Sequence, residues 1–374
     1  MISRFNIKLL LILLASIVLS CGGRKTSASQ AEGDTVRFKY ATQLTVVKHD
    51  GFTLVSLKNP WKEGMILHQY VLVPKSQDSV PPVHGATIIR TPLNRSMVFS
   101  TVHCAMLMDL GKQDCISGVA DLKYIKIPWI QQQVKEGRIS DVGDGLSPVV
   151  EKIIDQHPDA LFLSPFENSG GYGKLEDIDI PIVECAEYME SSPLGRAEWL
   201  RFYGMLFGCE EKADSLFDTI DRNYNALKAR AKNNTQEVLL DKVTGSVWYV
   251  PGGQSTIGQM ILDAGGTNPW ASDMRTGSVS LPFEAVLEKA SEADIWLFRY
   301  SSDHDITYKE LLSEHHGYNQ FKAFREQQVY GCNVELNLFY EETPFHPDWL
   351  LNDFIRIIHP ELDGLAPLRY YKKL

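Results

Sequence analysis

Aromatic, hydroxyl and charged side chains follow several apolar runs of the sequence, at positions where we expect strands to end. In the first half of the chain these runs end near residues 99, 119 and 163, and in the second half near residues 250 and 298. The candidate ligand-binding residues are Ser100, Thr101, His103, Tyr124, Phe166, Trp248, Tyr249, Arg299, Tyr300 and Tyr340. Rings can pack on the apolar surface of a bulky ligand, and a guanidinium can pair with anionic oxygens. These residue types favour non-covalent binding.

Catalytic and cofactor-binding motifs of the common kinds are missing from the sequence. It contains neither G-x-S-x-G nor G-x-x-x-x-G-K-[ST], and neither H-E-x-x-H nor C-x-x-C. Such motifs position a nucleophile, a phosphate or a metal ion. We therefore expect no catalytic residue, no resident cofactor and no metal site, because His103 alone among the histidines is well placed near a strand end. The chain is predicted not to be an enzyme.

The six cysteines, at 21, 104, 115, 185, 209 and 332, do not suggest a disulfide framework. If Cys21 is acylated, an odd number remains for pairing. Small buried apolar side chains are the expected role of the others, and whether Cys104 and Cys115 pair is left open.

Length and composition limit the class of protein. The 374 residues are enough for two domains at about 100 to 200 residues each. With 44% hydrophobic and 22% charged residues, the chain resembles neither a disordered protein nor a polytopic membrane protein. Its 37 basic and 47 acidic residues give a net charge of −10 without any long basic run. We therefore do not expect the protein to bind nucleic acid.

The N-terminus has the pattern of a secretory signal. Arg4 and Lys8 precede an apolar run over residues 9–19, which is too short to span a bilayer, and Ser20 and Cys21 follow. Small or aliphatic residues before a cysteine are typical of a bacterial lipoprotein. We predict a signal peptide over residues 1–20, a lipidated Cys21 and a flexible polar tether over 21–34, the alternative being a plain secretory signal.

The rest of the chain has an α/β pattern. Short β-branched segments over 35–86 predict a β-rich extension with hairpin strands, including one at residues 36–40. Alternating strands and helices predict two small α/β lobes, at 87–192 and 235–374. Residues 193–234 between them are predicted to be a helical linker. Its second part, from Glu210 to Lys232, has no proline or glycine and carries one apolar stripe, so we expect a continuous helix joining the lobes.

The two lobes share an internal sequence echo. Glu151 and Glu284 each lie in the first turn of a predicted helix that leads into an apolar strand, and Pro148 and Pro282 precede these helices. An acidic side chain at that position is stabilised by the helix dipole, by about 0.3 to 1 kcal/mol. Taken alone, the repeated glutamates can be explained by their stabilising effect at the start of each helix.

Together these motifs resemble a known family. The lipoprotein signal, the lobe–helix–lobe order, the segments Glu151–Asp159, Tyr249–Gly266 and Phe283–Leu287, and their spacing look like the helix-linked (class III) periplasmic binding proteins of ABC importers for ferric siderophores, haem and vitamin B12. The resemblance covers residues from about 87 to the C-terminus. The extension over 35–86 is not part of the common family core.

The resemblance implies a function and partners. It implies a lipid-anchored protein of the periplasm that captures a metal chelate between its lobes and delivers it to a dimeric ABC permease in the inner membrane. Membrane contact is then expected through the lipid alone. In that family one surface glutamate per lobe docks onto permease arginines, and the matching positions are Glu151 and Glu284. Two alternatives stay open: direct binding of a Zn, Mn or Fe ion, and a lipoprotein hydrolase or adhesion module.

Overall fold

The computed structural model describes residues 33–79, 83–167, 171–231 and 236–374. The predicted signal peptide over 1–20, Cys21 and nearly all of the predicted tether lie outside the described residues. Within the described ranges, no helix combines the length and the apolar character needed to cross a membrane.

The first element is a mixed sheet that the described residues 34–91 build next to the first lobe. Strands β1 to β4 pair antiparallel in chain order, and β5 pairs parallel with β4. The strands are β1 Asp34–Val36, β2 Leu44–His49, β3 Phe52–Lys58, β4 Ile66–Pro74 and β5 Thr87–Thr91. Gly51, at φ 80°, makes the tight turn between β2 and β3, which a β-carbon would strain.

Two details of this sheet differ from the expectation. The strand Thr87–Thr91, which we had placed at the start of the first lobe, extends the N-terminal sheet because it pairs with β4. The predicted strand over 36–40 ends at Val36, and residues 37–43 instead form a non-strand segment, here called the N-terminal strap. Its backbone N–H groups bond to the side chains of Glu198, in the linker, and Glu190, just before the linker, which replaces strand pairing.

The first lobe contains a parallel sheet in the order β12-β11-β6-β7-β8, flanked by helices. Its strands are β6 Ser96–Val98, β7 Ile116–Val119, β8 Ser140–Asp141, β11 Ala160–Leu163 and β12 Ile182–Glu184, and β9 Gly143–Asp144 and β10 Ser147–Pro148 form a separate small hairpin. Its helices are α1 Thr101–Asp109, α2 Pro128–Lys135 and α3 Val150–Asp155. Short 3-10 turns lie at Gln113–Cys115, Leu122–Tyr124, Gly173–Leu175 and Glu187–Met189.

The linker is helical, as the sequence predicts. Helix α4 covers Pro193–Glu198. Helix α5 covers Leu200–Phe207 and ends at Gly208, whose φ of 60° suits a glycine C-cap. The spine helix α6 then runs without interruption over Glu210–Arg230 and buries Ala213, Phe217, Ile220 and Tyr224 on one face. Its 21 residues span about 32 Å at 1.5 Å per residue.

The second lobe has two small sheets. Strands β13 Val238–Leu240, β17 Ile295–Tyr300 and β18 Val329–Asn333 form a parallel sheet that β19 Lys372–Lys373 extends antiparallel, and β14 Val243–Thr244, β15 Val247–Pro251 and β16 Ser278–Leu281 form an antiparallel sheet. The helices are α7 Thr256–Asp263, α8 Phe283–Ala290, α9 Tyr308–Glu314, α10 Lys322–Arg325, α11 Phe339–Glu342 and α12 Pro347–Ile358, with a 3-10 turn at His316–Gln320.

One apolar core continues through the N-terminal sheet, the first lobe, the linker and part of the second lobe. At its centre the ring of Tyr203, from α5, lies 5.9 Å from that of Phe345, from the second lobe, in an edge-on contact. The lobes are therefore packed on a shared core as well as connected by a helix. Such packing favours small flexing over a wide hinge motion.

Candidate functional site

The carboxyl ends of the two parallel sheets face each other across a cleft. The hydroxyl of Thr101, at the start of α1, donates to Glu341 Oε1 at 3.0 Å, and Lys126 Nζ lies 2.5 Å from Glu335 Oε1. Thr101 and Lys126 follow strands of the first lobe, and Glu335 and Glu341 follow β18 of the second. These bonds join the lobes at the cleft, which in open α/β sheets is where ligands bind.

Predicted side chains of both lobes are exposed near these strand ends. On the first lobe Tyr124 is 63% exposed and Phe166 52% exposed, and on the second lobe Tyr249 and Tyr340 are 46% and 47% exposed. Single exposed rings are normal on a protein surface, but Tyr249 and Tyr340 border one cavity beside Arg299, and Phe166 borders a cavity of the first lobe. Their location indicates an aromatic rim suited to a bulky ligand.

The first lobe contributes a cavity of about 760 Å³ to this region. Its wall includes Phe99, Asp121, Glu151, Phe166 and Tyr172, together with Leu146, which is 87% exposed at the tip of the small β9–β10 hairpin. The volume lies within the range of about 300 to 1,000 Å³ that is usual for small-molecule pockets.

Arg299 stands in a smaller cavity of about 200 Å³ on the second lobe, whose wall also includes Lys242, Tyr249 and Tyr340. The guanidinium is already paired: Nε donates to Asp241 Oδ1 at 3.0 Å and the terminal nitrogen to Asp241 Oδ2 at 2.7 Å. It also lies 5.7 Å and 5.9 Å from the ring centroids of Phe339 and Tyr340. Arg299 thus borders the cleft as half of a bidentate ion pair.

His103 is buried, so it does not line the cleft as the sequence analysis expects. It is 1% exposed, its Nε2 lies 3.1 Å from Glu187 Oε1, and the Tyr203 hydroxyl donates to Glu187 Oε2 at 2.9 Å. Burial opposes the imidazolium charge, but Cys185 and Glu187 outweigh it and raise the pKa of His103 to about 10. Burial likewise opposes the Glu187 carboxylate, yet His103 lowers the pKa of Glu187 to about 2. The pair is a buried ion pair.

His103, Cys185 and Glu187 form the one grouping in the described residues with the donor types and proximity of a metal site, their donor atoms lying within 4.8 Å of one another. Both Glu187 oxygens already accept hydrogen bonds, and the Arg196 guanidinium lies 4.0 Å from Oε1. A cation entering here would have to displace the bonds of Glu187 and lie near a guanidinium, although His103 Nδ1 has no hydrogen-bond partner among the described residues. The arrangement is better explained as a structural network.

Trp248 is also placed in a core, contrary to the expectation that it contacts a ligand. It is fully buried, its indole N–H donates to the Leu240 carbonyl at 2.9 Å, and its ring packs on Trp296, Tyr318 and Phe321. The reason is strand alternation, because Tyr249 takes the exposed face of β15 and Trp248 the opposite one.

Ser100 and Tyr300 have local contacts. The Ser100 hydroxyl accepts from the Val102 N–H at 3.3 Å and caps α1. The Tyr300 hydroxyl accepts from the Ile306 N–H at 3.2 Å and reaches Asp305 at 3.4 Å, so it holds a loop of its own lobe. Cys104 and Cys115 are free thiols in this structure, and burial raises the pKa of Cys104 to about 12.

Glu151 and Glu284 occupy matching positions. Each is exposed in the first turn of its helix, α3 or α8. Each helix leads into the strand that lies beside an edge strand of its sheet, β11 or β17. Within the described part of the chain, neither carboxylate forms an ion pair with a basic side chain.

Several site residues were missed by reasoning from the sequence. Asp241 follows β13 directly, so its position at a strand end could have identified it. Glu341 and Lys126 gave no such signal, because each acts through a partner far away in the sequence.

The comparisons with known proteins agree with this geometry. The family model described as periplasmic binding protein matches residues 103–336, which is more than half of the chain. The chain belongs to the periplasmic binding protein family. Two uncharacterized lipoproteins of Methanocaldococcus jannaschii are 27% and 24% identical to it, over 86% and 84% of this chain and 82% and 83% of their own.

Solved structures share the two-lobed fold at low identity. A periplasmic binding protein of Veillonella parvula aligns over 83% of this chain and 98% of its own, with a TM-score of 0.59 and 14% identity. A periplasmic haem-binding protein of Pseudomonas aeruginosa aligns over 74% and 96%, with a TM-score of 0.57 and 15% identity. An Fe3+-hydroxamate transport protein of Saccharomonospora viridis aligns over 72% and 94%, with a TM-score of 0.56 and 18% identity. The class III fold predicted from the sequence is confirmed.

Proposed function

We propose that this family member is the substrate-binding lipoprotein of an ABC importer, and that it carries an iron chelate (a ferric siderophore or haem) or a corrinoid of the vitamin B12 type. The observation that carries the proposal is the pair of exposed glutamates, Glu151 and Glu284, at matching helix starts of two lobes that enclose one cleft. The exposed rings Phe166, Tyr249 and Tyr340 support a bulky cargo with an apolar periphery. The relatives named for haem and ferric hydroxamate are consistent with this class.

The docking role is tested with the double variant Glu151→Ala, Glu284→Ala. Two exposed carboxylates in pseudo-symmetric positions suit bidentate pairing with arginines on two permease subunits. We expect the variant to lose stimulation of the transporter's ATPase. Because Glu151 also borders the first-lobe cavity, cargo affinity is measured for each single variant, and the docking role requires the loss of stimulation to persist at saturating cargo. Glu288→Ala, an exposed glutamate on the same helix as Glu284, is the matched control. Wild-type stimulation by the double variant would refute the docking role.

The cargo class is tested by adding haem, a ferric hydroxamate and cyanocobalamin to the protein separately and recording native mass spectra and visible absorption. One class should bind with one-to-one stoichiometry. Phe166→Ala and Tyr340→Ala should both weaken that binding, while Tyr300→Phe, which changes a side chain bonded within its own lobe, should not. Failure of every chelate to bind would refute the transport assignment.

The lipid anchor at Cys21 belongs to the same proposal, since relatives of this chain are named lipoproteins. Replacing Cys21 by Ser should abolish labelling by a fatty acid and release the protein from membranes. Membrane retention of the variant would show that another feature holds it there.

Direct binding of a metal ion is the second candidate, and the proximity of His103, Cys185 and Glu187 is the observation in its favour. Calorimetry with Zn2+ and Mn2+ separates the two candidates. Tight one-to-one binding that His103→Ala abolishes would replace the chelate proposal.

A further inference from the structure

A second pocket lies between the lobes, beside the linker. Its volume is about 240 Å³, enough for about eight water molecules at roughly 30 Å³ each. Its wall combines residues of the first lobe, of linker helix α4 and of second-lobe helices α7, α11 and α12: Val102, Pro193, Arg196, Thr256, Ile257 and Met260 among them. A molecule bound here would contact both lobes and the linker at once.

The polar lining of this pocket is one-sided. Arg196 and Arg299 both reach it, and no carboxylate belongs to its described lining, which is otherwise apolar or hydroxyl-bearing. Asp241 pairs with Arg299 from outside the pocket. The first turn of α7, which begins at Thr256, adds the positive end of a helix dipole. The pocket wall therefore presents cationic and no anionic side chains, although Asp241 largely offsets the charge of Arg299.

The guanidinium of Arg196 is only partly paired. Its Nε is buried and has no hydrogen-bond partner among the described residues, and the nearest recorded carboxylate oxygen, Glu187 Oε1, lies 4.0 Å from a terminal nitrogen. That oxygen is already engaged by His103 Nε2 at 3.1 Å. Burial lowers the pKa of Arg196, and the charge of Glu187 only partly offsets this. A buried guanidinium donor without an acceptor is costly.

We propose that this pocket binds a carboxylate group, which accepts hydrogen bonds from Arg196 and bridges the two lobes. A carboxylate matches the planar fork of a guanidinium, and the apolar walls formed by Val102, Ile257 and Met260 suit the carbon skeleton attached to it. A metal cation is excluded by the two arginines. The pocket adjoins the second-lobe part of the aromatic rim, because Arg299 and Tyr340 border both regions.

The carboxylate can come from two sources, a free small organic acid or an acid group on the cargo. The second source rests on the proposed function, and the first does not. Calorimetry with succinate and citrate tests the free acid. Absorption titration with haem, compared with haem dimethyl ester, tests an acid group on a chelate.

The variants are Arg196→Gln and, on the opposite wall, Ile257→Phe, which fills the pocket and keeps the charge. Arg95→Gln, an arginine on the outer surface of the first lobe, is the matched control. We expect both pocket variants to weaken the binding of one of the acids at least tenfold, which equals about 1.4 kcal/mol, and the control to stay within twofold. If Arg196→Gln does not fold, as judged by circular dichroism, Ile257→Phe decides alone.

Each result separates this inference from the proposed function. Succinate or citrate binding that depends on Arg196 supports a free acid, and haem binding that is lost in the ester and in the variants supports an acid group on the cargo. Chelate binding that is indifferent to the ester and to both variants, with no binding of free acids, overturns the inference and leaves the transport role standing. Binding of free acids alone, without binding of any chelate, supports the carboxylate pocket and refutes the proposed transport of a chelate.

Discussion

The N-terminal strap provides the sharpest test of how this chain holds its extension on the linker. The Glu198 carboxylate is completely buried and accepts three backbone hydrogen bonds, from Lys39 at 2.8 Å, Tyr40 at 2.7 Å and Ala41 at 2.8 Å. Replacing Glu198 by Ala removes the two oxygens that accept these three bonds. Each net hydrogen bond contributes about 1 kcal/mol, and a donor left dry costs up to about 3 kcal/mol.

The exposure of the three donors narrows the expected loss of stability. Lys39 is exposed and its N–H can regain water, whereas Tyr40 and Ala41 are partly buried. We therefore expect Glu198→Ala to lower the free energy of unfolding by about 3 kcal/mol. Glu198→Gln keeps one oxygen and turns an amide NH2 toward a backbone donor, so its loss should be smaller, about 1 to 2 kcal/mol.

Guanidinium unfolding at constant pH measures these differences, and hydrogen exchange of the amides at residues 39–43 reports the strap itself. Glu288→Gln, on the surface of α8, is the control and should change the free energy by less than about 0.5 kcal/mol. If Glu198→Ala matches the control in both measurements, the carboxylate does not hold the strap, and the reasoning is wrong.

Three further predictions concern the lobes. The pKa of His103 is raised to about 10, against an ordinary 6.5. The stability that the charged ring contributes is therefore complete below pH 6.5 and is lost as the pH rises toward 10. In urea unfolding, the free energy of wild-type protein should fall over this pH window, and that of His103→Gln should fall less. Trp248→Ala should cost about 3 to 5 kcal/mol in thermal or urea unfolding, as expected for a fully buried large ring. The shared core and the Thr101–Glu341 bond predict that the radius of gyration from small-angle scattering stays the same, within error, when cargo is added, and a clear decrease would contradict the spine argument.

Much of the fold could be predicted because its elements are local in sequence. The strands at Ile116–Val119, Ala160–Leu163 and Val238–Leu240 coincide with short apolar runs, and the spine over Glu210–Arg230 follows an uninterrupted apolar stripe. These patterns reflect burial of one face or one run, which hydrophobic periodicity records directly. The position of Gly208 at the end of α5 is a similar local signal.

The strap could not be predicted, because its bonding partners lie far along the chain. The backbone of Lys39 bonds to a side chain 159 residues later, and no local pattern in residues 37–43 indicates that contact. A β-branched and aromatic segment was therefore interpreted as a strand. Prediction from β-propensity alone fails where the backbone N–H groups bond to side chains instead of to a neighbouring strand.

The site was only partly predictable for a related reason. Strand ends suggested Phe166, Tyr249, Arg299 and Tyr340, and each of these borders a cavity, but the direction of each side chain depends on packing. Trp248 next to Tyr249 shows the limit, since alternation allows only one of two neighbours in a strand to face the cleft, and the sequence does not say which sheet face is buried.

The pairing of Arg299 with Asp241 changes what the cleft can recognise. A free guanidinium at the strand end would attract an anionic chelate, but a bidentate ion pair presents little net charge and mainly a planar surface stacked on Phe339 and Tyr340. With the lobes held by a shared core, the cleft cannot rearrange widely to compensate. Recognition at the rim therefore depends on shape and on ring contacts. The incompletely paired guanidinium of Arg196 makes the linker-side pocket the proposed place where an acid group binds.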